Sequence, residues 1–555
     1  MKWFNDLLFG HSVAHTIFIL SIVIFSGILL GKIKIKGISL SIGGVMFAGI
    51  IFGHSGMGFN AEVLDFVRDF GLVLFVYTIG AQAGPVFFAS FRKEGIALNL
   101  LVTGNIAMNL LTASLIVLLA GLPAAVVVGI LSGAITNTPG LGAAQEALRG
   151  ISGGNSEIQQ YPGLGYAIAY PFGIIGIIGS IILSSKLFRI NLEKESAAFA
   201  EEKSKTDGAP VEHSMVVMNQ GIDGKSIGKL KSIIDGEFMI TGICREGEFV
   251  TPTDASILAK GDILRVLCRS EQIKDIALMV GDITELDFTV PTRSLSRDFN
   301  VTNKETQKKP LGKLDFAERL GVNIVKVERA GFEMFPSAGL KLCFGDTVTA
   351  TGPESALAEL EKELGNSEKD LEHPNLVPIF IGIAAGIIIG MVPFYIPGLA
   401  APVKLGIAGG PLLVALVLSR IRKIGPLNWH LSTSANLILR EMGITLFLAC
   451  VGIKCGERFF STLFSQQGVL WIVSALAITM IPLMLTALAG RYLMKMNFLT
   501  LSGLMAGGCT DPPALSYACQ ISKNDAPLYS YAAVYSYVMF MRIITAQLFI
   551  LIFCK

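Results

Sequence analysis

From Gly95 to Gln145 the chain carries no Asp, Glu, Lys, Arg or His. A stretch of that length offers water no charged face. At about 1.5 Å per residue it is also too long for one crossing of a hydrocarbon core roughly 30 Å thick. At least two membrane elements must lie within it. Composition agrees: of 555 residues, 52% are hydrophobic and 16% charged, with a mean hydropathy of +0.60, outside the balance of soluble globular proteins. The class is a polytopic membrane protein.

The formal net charge of +2 gives no electrostatic footprint for nucleic acid, and Lys and Arg fall in short clusters that read as topology signals. The eight cysteines form no CxxC pair and have no His at ligand spacing, so neither a metal site nor a disulfide framework is expected. No small-residue cleavage site follows the first apolar run, and no cleaved signal peptide is expected.

Charge density divides the chain into an N-terminal membrane repeat (1–190), a solvated linker (191–209), a polar insert and a C-terminal membrane repeat (369–555). The insert alternates strand-like runs such as "FMITGI" and "TVTATG" with Gly, Asp and Pro turns. Shifted by 84 positions it matches itself. Arg245, Gly247, Pro252, Gly261 and Asp262 fall on Arg329, Gly331, Pro336, Gly345 and Asp346. Two copies of one small α/β domain are expected, at 210–285 and 286–368, each ending in an amphipathic helix.

The apolar blocks repeat each other too. "GLVLFVYTIGAQAGPVFF" (71–88) aligns with "GITLFLACVGIKCGERFF" (443–460), and "GAITNTPGLGAA" (133–144) with "GGCTDPPALSYA" (507–518). Thr136 thus pairs with Thr510, Asn137 with Asp511 and Pro139 with Pro513; "YAIAY" (166–170) resembles "YAAVY" (531–535).

Basic residues beside a membrane span stay on the cytoplasmic side. The clusters are Lys32, Lys34 and Lys36; Arg92 and Lys93; Lys186 and Arg189; Arg420, Arg422 and Lys423; Arg491 and Lys495. Six spans per half cannot put all of them inside. Five spans plus one re-entrant hairpin per half can, with hairpins near 123–150 and 498–521. The fold class is therefore an α-helical polytopic membrane protein of two inverted repeats, with two small cytoplasmic α/β domains between them and both termini outside. A broken helix crossing the bilayer at each Pro motif is the structural rival.

Irregular backbone survives at membrane depth only where it lines a cavity or packs in protein. Pro139, Pro512 and Pro513 donate no amide hydrogen and push the preceding residue out of helical geometry, so the chain opens at both tips. Thr136, Asn137, Pro139, Thr510, Asp511 and Pro513 then form a polar pocket faced by helix N-termini, suited to a small anion or zwitterion. Asp511 could meet a substrate ammonium, a coupling cation or Arg542, or cap its own turn. Arg542 could clamp a carboxylate or form a structural ion pair. Gln82 and Lys454, at equivalent repeat positions, are further substrate candidates, although Lys454 could instead snorkel to the interface. No phosphate loop or other enzyme signature is present, and no cofactor is expected.

The two membrane motifs, with R-x-G-x4-P-x8-G-D occurring twice between them, resemble the bacterial aspartate:alanine exchanger family of secondary transporters. The insert copies resemble RCK C-terminal (TrkA-C) domains. That resemblance implies an antiporter for amino acids or carboxylates in the bacterial cytoplasmic membrane, without covalent catalysis. It also implies a homodimer and a possible small regulatory ligand on the soluble domains. A cation- or proton-coupled dicarboxylate symporter is the alternative reading, and a channel gated by the soluble pair is a third.

Overall fold

Helix ends in the computed structural model follow Gly, Pro and capping Ser or Asn residues. The structure describes residues 7, 10–35, 38–89, 93–151, 156–206, 210–234, 238–245, 248–250, 252–269, 272–284, 294–303, 305–306, 309–329, 332–334, 336, 339–343, 345–365, 376–395, 402, 404–421, 423–424, 427–429, 433–522 and 526–554. Lys36, Arg92, Gly247, Gly331 and Arg422 of the sequence patterns lie outside them.

The chain divides into two units, Met1–Phe199 with Asn375–Lys555, and Ala200–Pro374. In the first, the N-terminal half supplies α1 (Val13–Lys32), α2 (Gly44–His54), α3 (Ala61–Ala89), α4 (Lys93–Ala120), α5 (Ala124–Ala134), α6 (Thr138–Ile151) and α7 (Ser156–Leu187). The C-terminal half supplies their counterparts in the same order: α8 (Leu376–Gly390), α9 (Gly406–Ile421), α10 (Thr433–Leu463), α11 (Gln466–Leu488), α12 (Phe498–Gly508), α13 (Pro512–Ser522) and α14 (Ala526–Phe553). Among the described residues six helices are long and apolar enough to cross a membrane. Ahead of α2, Ile38–Ser39 pairs as a short hairpin with Lys34–Ile35.

Close glycine packing fixes helix direction. Gly129 lies against Pro162, Gly133 against Tyr166 and Gly173 against Ala134, so α5 runs parallel to α7. The chain between Ile151 and Ser156 reaches at most about 18 Å, at about 3.6 Å per residue. The end of α6 therefore returns to the side where α5 began. Similarly, Gly503 packs on Pro527 and Gly507 on Tyr531, making α12 parallel to α14. Both elements are re-entrant hairpins, and the crossing broken helix is excluded.

The repeats are inverted. α2 runs parallel to α10, with Gly49 against Ala449 and Gly456 against Ile50, whereas α3 and α10 cross antiparallel where Gly71 and Gly443 each face the other's carbonyl. The described basic residues Lys32, Lys34, Lys186, Arg189, Arg420, Arg491 and Lys495 consequently sit at the end of the bundle where α7 terminates, called here the near end. One packed group comprises α1–α3 and α8–α10; the other, carrying the hairpins, comprises α4–α7 and α11–α14.

The second unit contains two antiparallel sheets. The first has strands β1 (Pro210–Val216), β2 (Phe238–Arg245), β3 (Glu248–Val250), β4 (Ile263–Arg269) and β5 (Ile283–Thr284) in the order β3-β2-β4-β1-β5. The second has β6 (Ser294–Asn300), β7 (Asn323–Arg329), β8 (Phe332–Met334) and β9 (Thr347–Pro353) in the matching order β8-β7-β9-β6. The amphipathic helices Ile273–Val280 and Glu354–Leu364 follow the equivalent strands β4 and β9. The repeated Gly-Asp pair makes one turn twice: Gly261 and Gly345 take φ +95° and +81°, and the following Asp accepts the amide of Ala259 at 2.8 Å or Cys343 at 2.7 Å. Arg245 locks the first turn with two bonds to Asp262, at 2.9 and 2.7 Å.

Candidate functional site

Each hairpin tip ends its first helix in the same way. Thr136 N bonds Gly133 O at 3.0 Å and Asn137 N bonds Ser132 O at 2.8 Å; Thr510 N bonds Gly507 O and Asp511 N bonds Ala506 O, both at 3.0 Å. This is a Schellman closure, which needs a left-handed residue and ordinarily takes Gly. Here it holds Thr136 at φ +52° and Thr510 at φ +54°. A β-branched residue there is strained by roughly 1–2 kcal/mol, so its hydroxyl must have a use.

For Thr136 that use is visible. Its Oγ1 donates to Cys509 O of the other tip at 2.9 Å, and Asn137 Nδ2 donates to Thr510 Oγ1 at 3.2 Å. All four tip residues are buried, Thr136 at 8% exposure and Asp511 at 0%. The tips therefore meet in the interior of the hairpin-bearing group.

The second helix of each hairpin starts at once. Asn137 caps α6, its Oδ1 accepting Gly140 N at 2.7 Å. Asp511 holds the same position before α13, but among the described residues neither carboxylate oxygen has a hydrogen-bond partner. Prolines 512 and 513 occupy the first two positions of α13, so Ala514 alone among the first three carries an amide hydrogen. The tip presents an unsatisfied carboxylate more than it presents free donors. An ionised carboxylate without partners at this depth costs several kcal/mol, and an ammonium or metal cation would recover that cost. Tyr166, Tyr170 and Tyr531 lie within electrostatic reach of Asp511. The ring pairs Tyr166/Tyr170 and Tyr531/Tyr535, 5.5 and 5.3 Å apart, repeat across the halves.

Arg542 is 3% exposed and spends Nη2 on Asn109 Oδ1 at 2.8 Å, Gly508 O at 2.9 Å and Asn105 Oδ1 at 3.3 Å. It thereby closes the carbonyl end of α12. Thr479 performs the equivalent service for α5, donating to Ala134 O at 2.7 Å. Arg542 Nε stays without a partner. Lys454 is away from the tips, paired with Asp65 at 2.6 Å. Gln82 accepts from Arg440 at 3.1 Å and Asn436 at 3.4 Å. Pro139 is buried on α6, and Pro513 is half-buried on α13.

Sequence reasoning missed a charged cluster at the far end. Asp65 pairs with Arg68 at 2.9 Å, Arg149 at 3.0 Å and Lys454; Asp69 pairs with Arg68 at 2.8 Å and Arg149 at 2.9 Å. It ties α3 to both α6 and α10. It also missed Arg440, although extending the repeat three residues back from Gly71 and Gly443 aligns Arg68 with Arg440.

Inverted halves, two buried re-entrant tips and an unpartnered acid at one of them fit a membrane transporter. The Asp-Al_Ex family model, described as a predicted permease membrane region, matches residues 19–186 and 378–551, and the TrkA-C domain model matches 213–281 and 307–365. The chain belongs to the Asp-Al_Ex family, a transporter family. It is 42% identical over 557 residues to an uncharacterized transporter of Bacteroides fragilis (strain YCH46), covering 98% of this chain and 97% of that one. It is likewise 42% identical to an uncharacterized transporter of Bacteroides thetaiotaomicron, covering 99% and 100%. No solved structure matches it.

Proposed function

We propose that the protein is a secondary active antiporter exchanging small amino acids or carboxylates of the aspartate and alanine kind across the bacterial cytoplasmic membrane. The near end, which gathers the basic residues, is cytoplasmic, as is the TrkA-C pair; both termini lie outside. Substrate binds where the tips meet, with Thr136, Asn137, Thr510 and Asp511 lining the site, Pro139 and Pro513 holding the backbone open, and Arg542 closing α12. Gln82 and Lys454 flank the path at opposite ends. The hairpin-bearing group moves against the other six helices and carries the site from side to side. The soluble pair biases that equilibrium, by dimer contacts or a small ligand.

The observation that carries this reading is Asp511: a wholly buried carboxylate without a hydrogen bond, held at the junction of two inverted hairpins. It suits the ammonium of an amino acid. The same carboxylate would also take a coupling cation, which favours ion-coupled dicarboxylate symport as the second reading. Counterflow in proteoliposomes separates them. Labelled aspartate or alanine entering only vesicles loaded with unlabelled substrate supports exchange, whereas accumulation driven by an imposed sodium or proton gradient in unloaded vesicles supports symport. Entry with neither, together with a unitary conductance, points to a channel.

A further inference from the structure

The tip residues supply a seat for a cation, but an amino acid or carboxylate also needs a partner for its negative end. Arg68 on α3 and Arg440 on α10 are repeat counterparts, each three residues before the glycine at which those helices cross. Their surroundings differ. Arg68, 7% exposed, is neutralised by Asp65 and Asp69. Arg440 is half-buried, its one hydrogen-bond partner among the described residues is the neutral Gln82 Oε1 at 3.1 Å, and no carboxylate of those residues lies within ion-pair distance. Arg440 is within electrostatic reach of Tyr531 and Tyr535, and Tyr531 is within reach of Asp511. A guanidinium lacking a counter-ion and a carboxylate lacking a donor thus both act on Tyr531.

The hairpins differ in the same sense. On α6, the face formed by Thr138, Gly142 and Glu146 is covered: Thr138 bonds the Tyr166 hydroxyl at 2.9 Å, Gly142 abuts Leu72 of α3, and Glu146 packs on Gly406 of α9. The counterpart face of α13, Pro512, Ser516 and Gln520, is exposed. By the repeat relation that face looks toward α10, on the stretch bearing Arg440, as α6 looks toward α3. The far end is closed by packing and by the Asp65, Asp69, Arg68, Arg149 and Lys454 cluster; the near end is open along α13.

We infer that the structure is the near-end-open state of the carrier and that Arg440 receives the carboxylate of the substrate there, two donors of its planar fork matching two carboxylate oxygens. Arg68, held by its own acids, is its silent twin. The assignment rests on the reading of the protein as a carrier of amino acids or carboxylates.

The test is side-resolved exchange kinetics of the purified full-length protein in proteoliposomes, with L-aspartate as probe, for wild type, Arg440→Gln and Arg440→Lys. Arg440→Gln should raise the near-side KM at least about tenfold while saturated exchange falls much less, and Arg440→Lys should recover part of the loss. Unfolding temperature without aspartate should match wild type; should Arg440→Gln fail to fold, the several-fold KM increase of Arg440→Lys carries the test. Normal near-side KM in both variants of an active carrier overturns the role of Arg440 and leaves the transport reading standing. Wild-type protein that moves no aspartate, alanine or other small carboxylate overturns that reading and this one together.

Discussion

Thr136 Oγ1 reaches the Cys509 carbonyl at 2.9 Å, joining two hairpin tips separated in sequence by the whole soluble insert. The bond gives a strained threonine its role and couples the two inverted halves at one point. Thr136→Gly should leave stability within about 1 kcal/mol of wild type, because relief of left-handed strain offsets the lost bond. Thr136→Val keeps the strain and removes the donor, and should cost about 2 kcal/mol or more. Thermal unfolding in detergent checks both, and both variants should slow exchange.

Asp511→Asn keeps the size and shape of the side chain and removes a buried charge that has no hydrogen bond. Its unfolding temperature should be equal to or above that of wild type. Exchange should be lost. An active, folded Asp511→Asn carrier would remove the residue from the site.

The far-end cluster makes a population argument. Asp65 alone gathers Arg68, Arg149 and Lys454, yet Asp65, Arg149 and Lys454 are partly exposed and the buried Arg68 keeps Asp69 as its partner, so loss of the Asp65 charge should cost at most about 1 kcal/mol of stability. The same energy placed on one side of a two-state equilibrium shifts it severalfold. Asp65→Asn should therefore favour the far-end-open state and lower the far-side KM while raising the near-side KM, which side-resolved exchange measures.

In the soluble unit, burial works against ionisation of Asp262, but the Arg245 pair and the Ala259 amide outweigh it and hold the carboxyl below its usual range. A depressed folded-state value stabilises the fold above the unfolded carboxylate pKa of about 3.9 and loses that stability as pH falls through the lower folded value. The protection of the Ala259 and Asp262 amides, taken relative to their intrinsic exchange rates at each pH, should therefore hold at neutral pH and fall below about pH 4. In Asp262→Asn that acid-dependent component should vanish, at a cost of about 1.5–3 kcal/mol at neutral pH.

Much of this was legible in the sequence because prolines and small polar residues in an apolar setting have few physical explanations. Thr136-Asn137 and Thr510-Asp511 could be placed at breaks, and the basic residues gave a count of spans that required hairpins. What escaped depends on partners distant in the chain. Lys454 and Asp65 meet because α3 and α10 cross, and Arg542 is occupied by two asparagines of α4. Arg440 belongs to none of the basic clusters or motifs, and it stands out only when its repeat twin Arg68 is seen neutralised. The prolines that opened the tip of α13 also stripped it of amide donors, so the negative end of a substrate must look elsewhere.

The most direct measurement is substrate-protected thiol labelling of Thr136→Cys and Thr510→Cys in otherwise cysteine-free protein that still exchanges. Water-soluble methanethiosulfonate should reach both positions during turnover, and aspartate or alanine should slow the reaction at both. Labelling only by a lipid-soluble maleimide, unchanged by substrate, would place the tips against hydrocarbon and contradict a transport site between them.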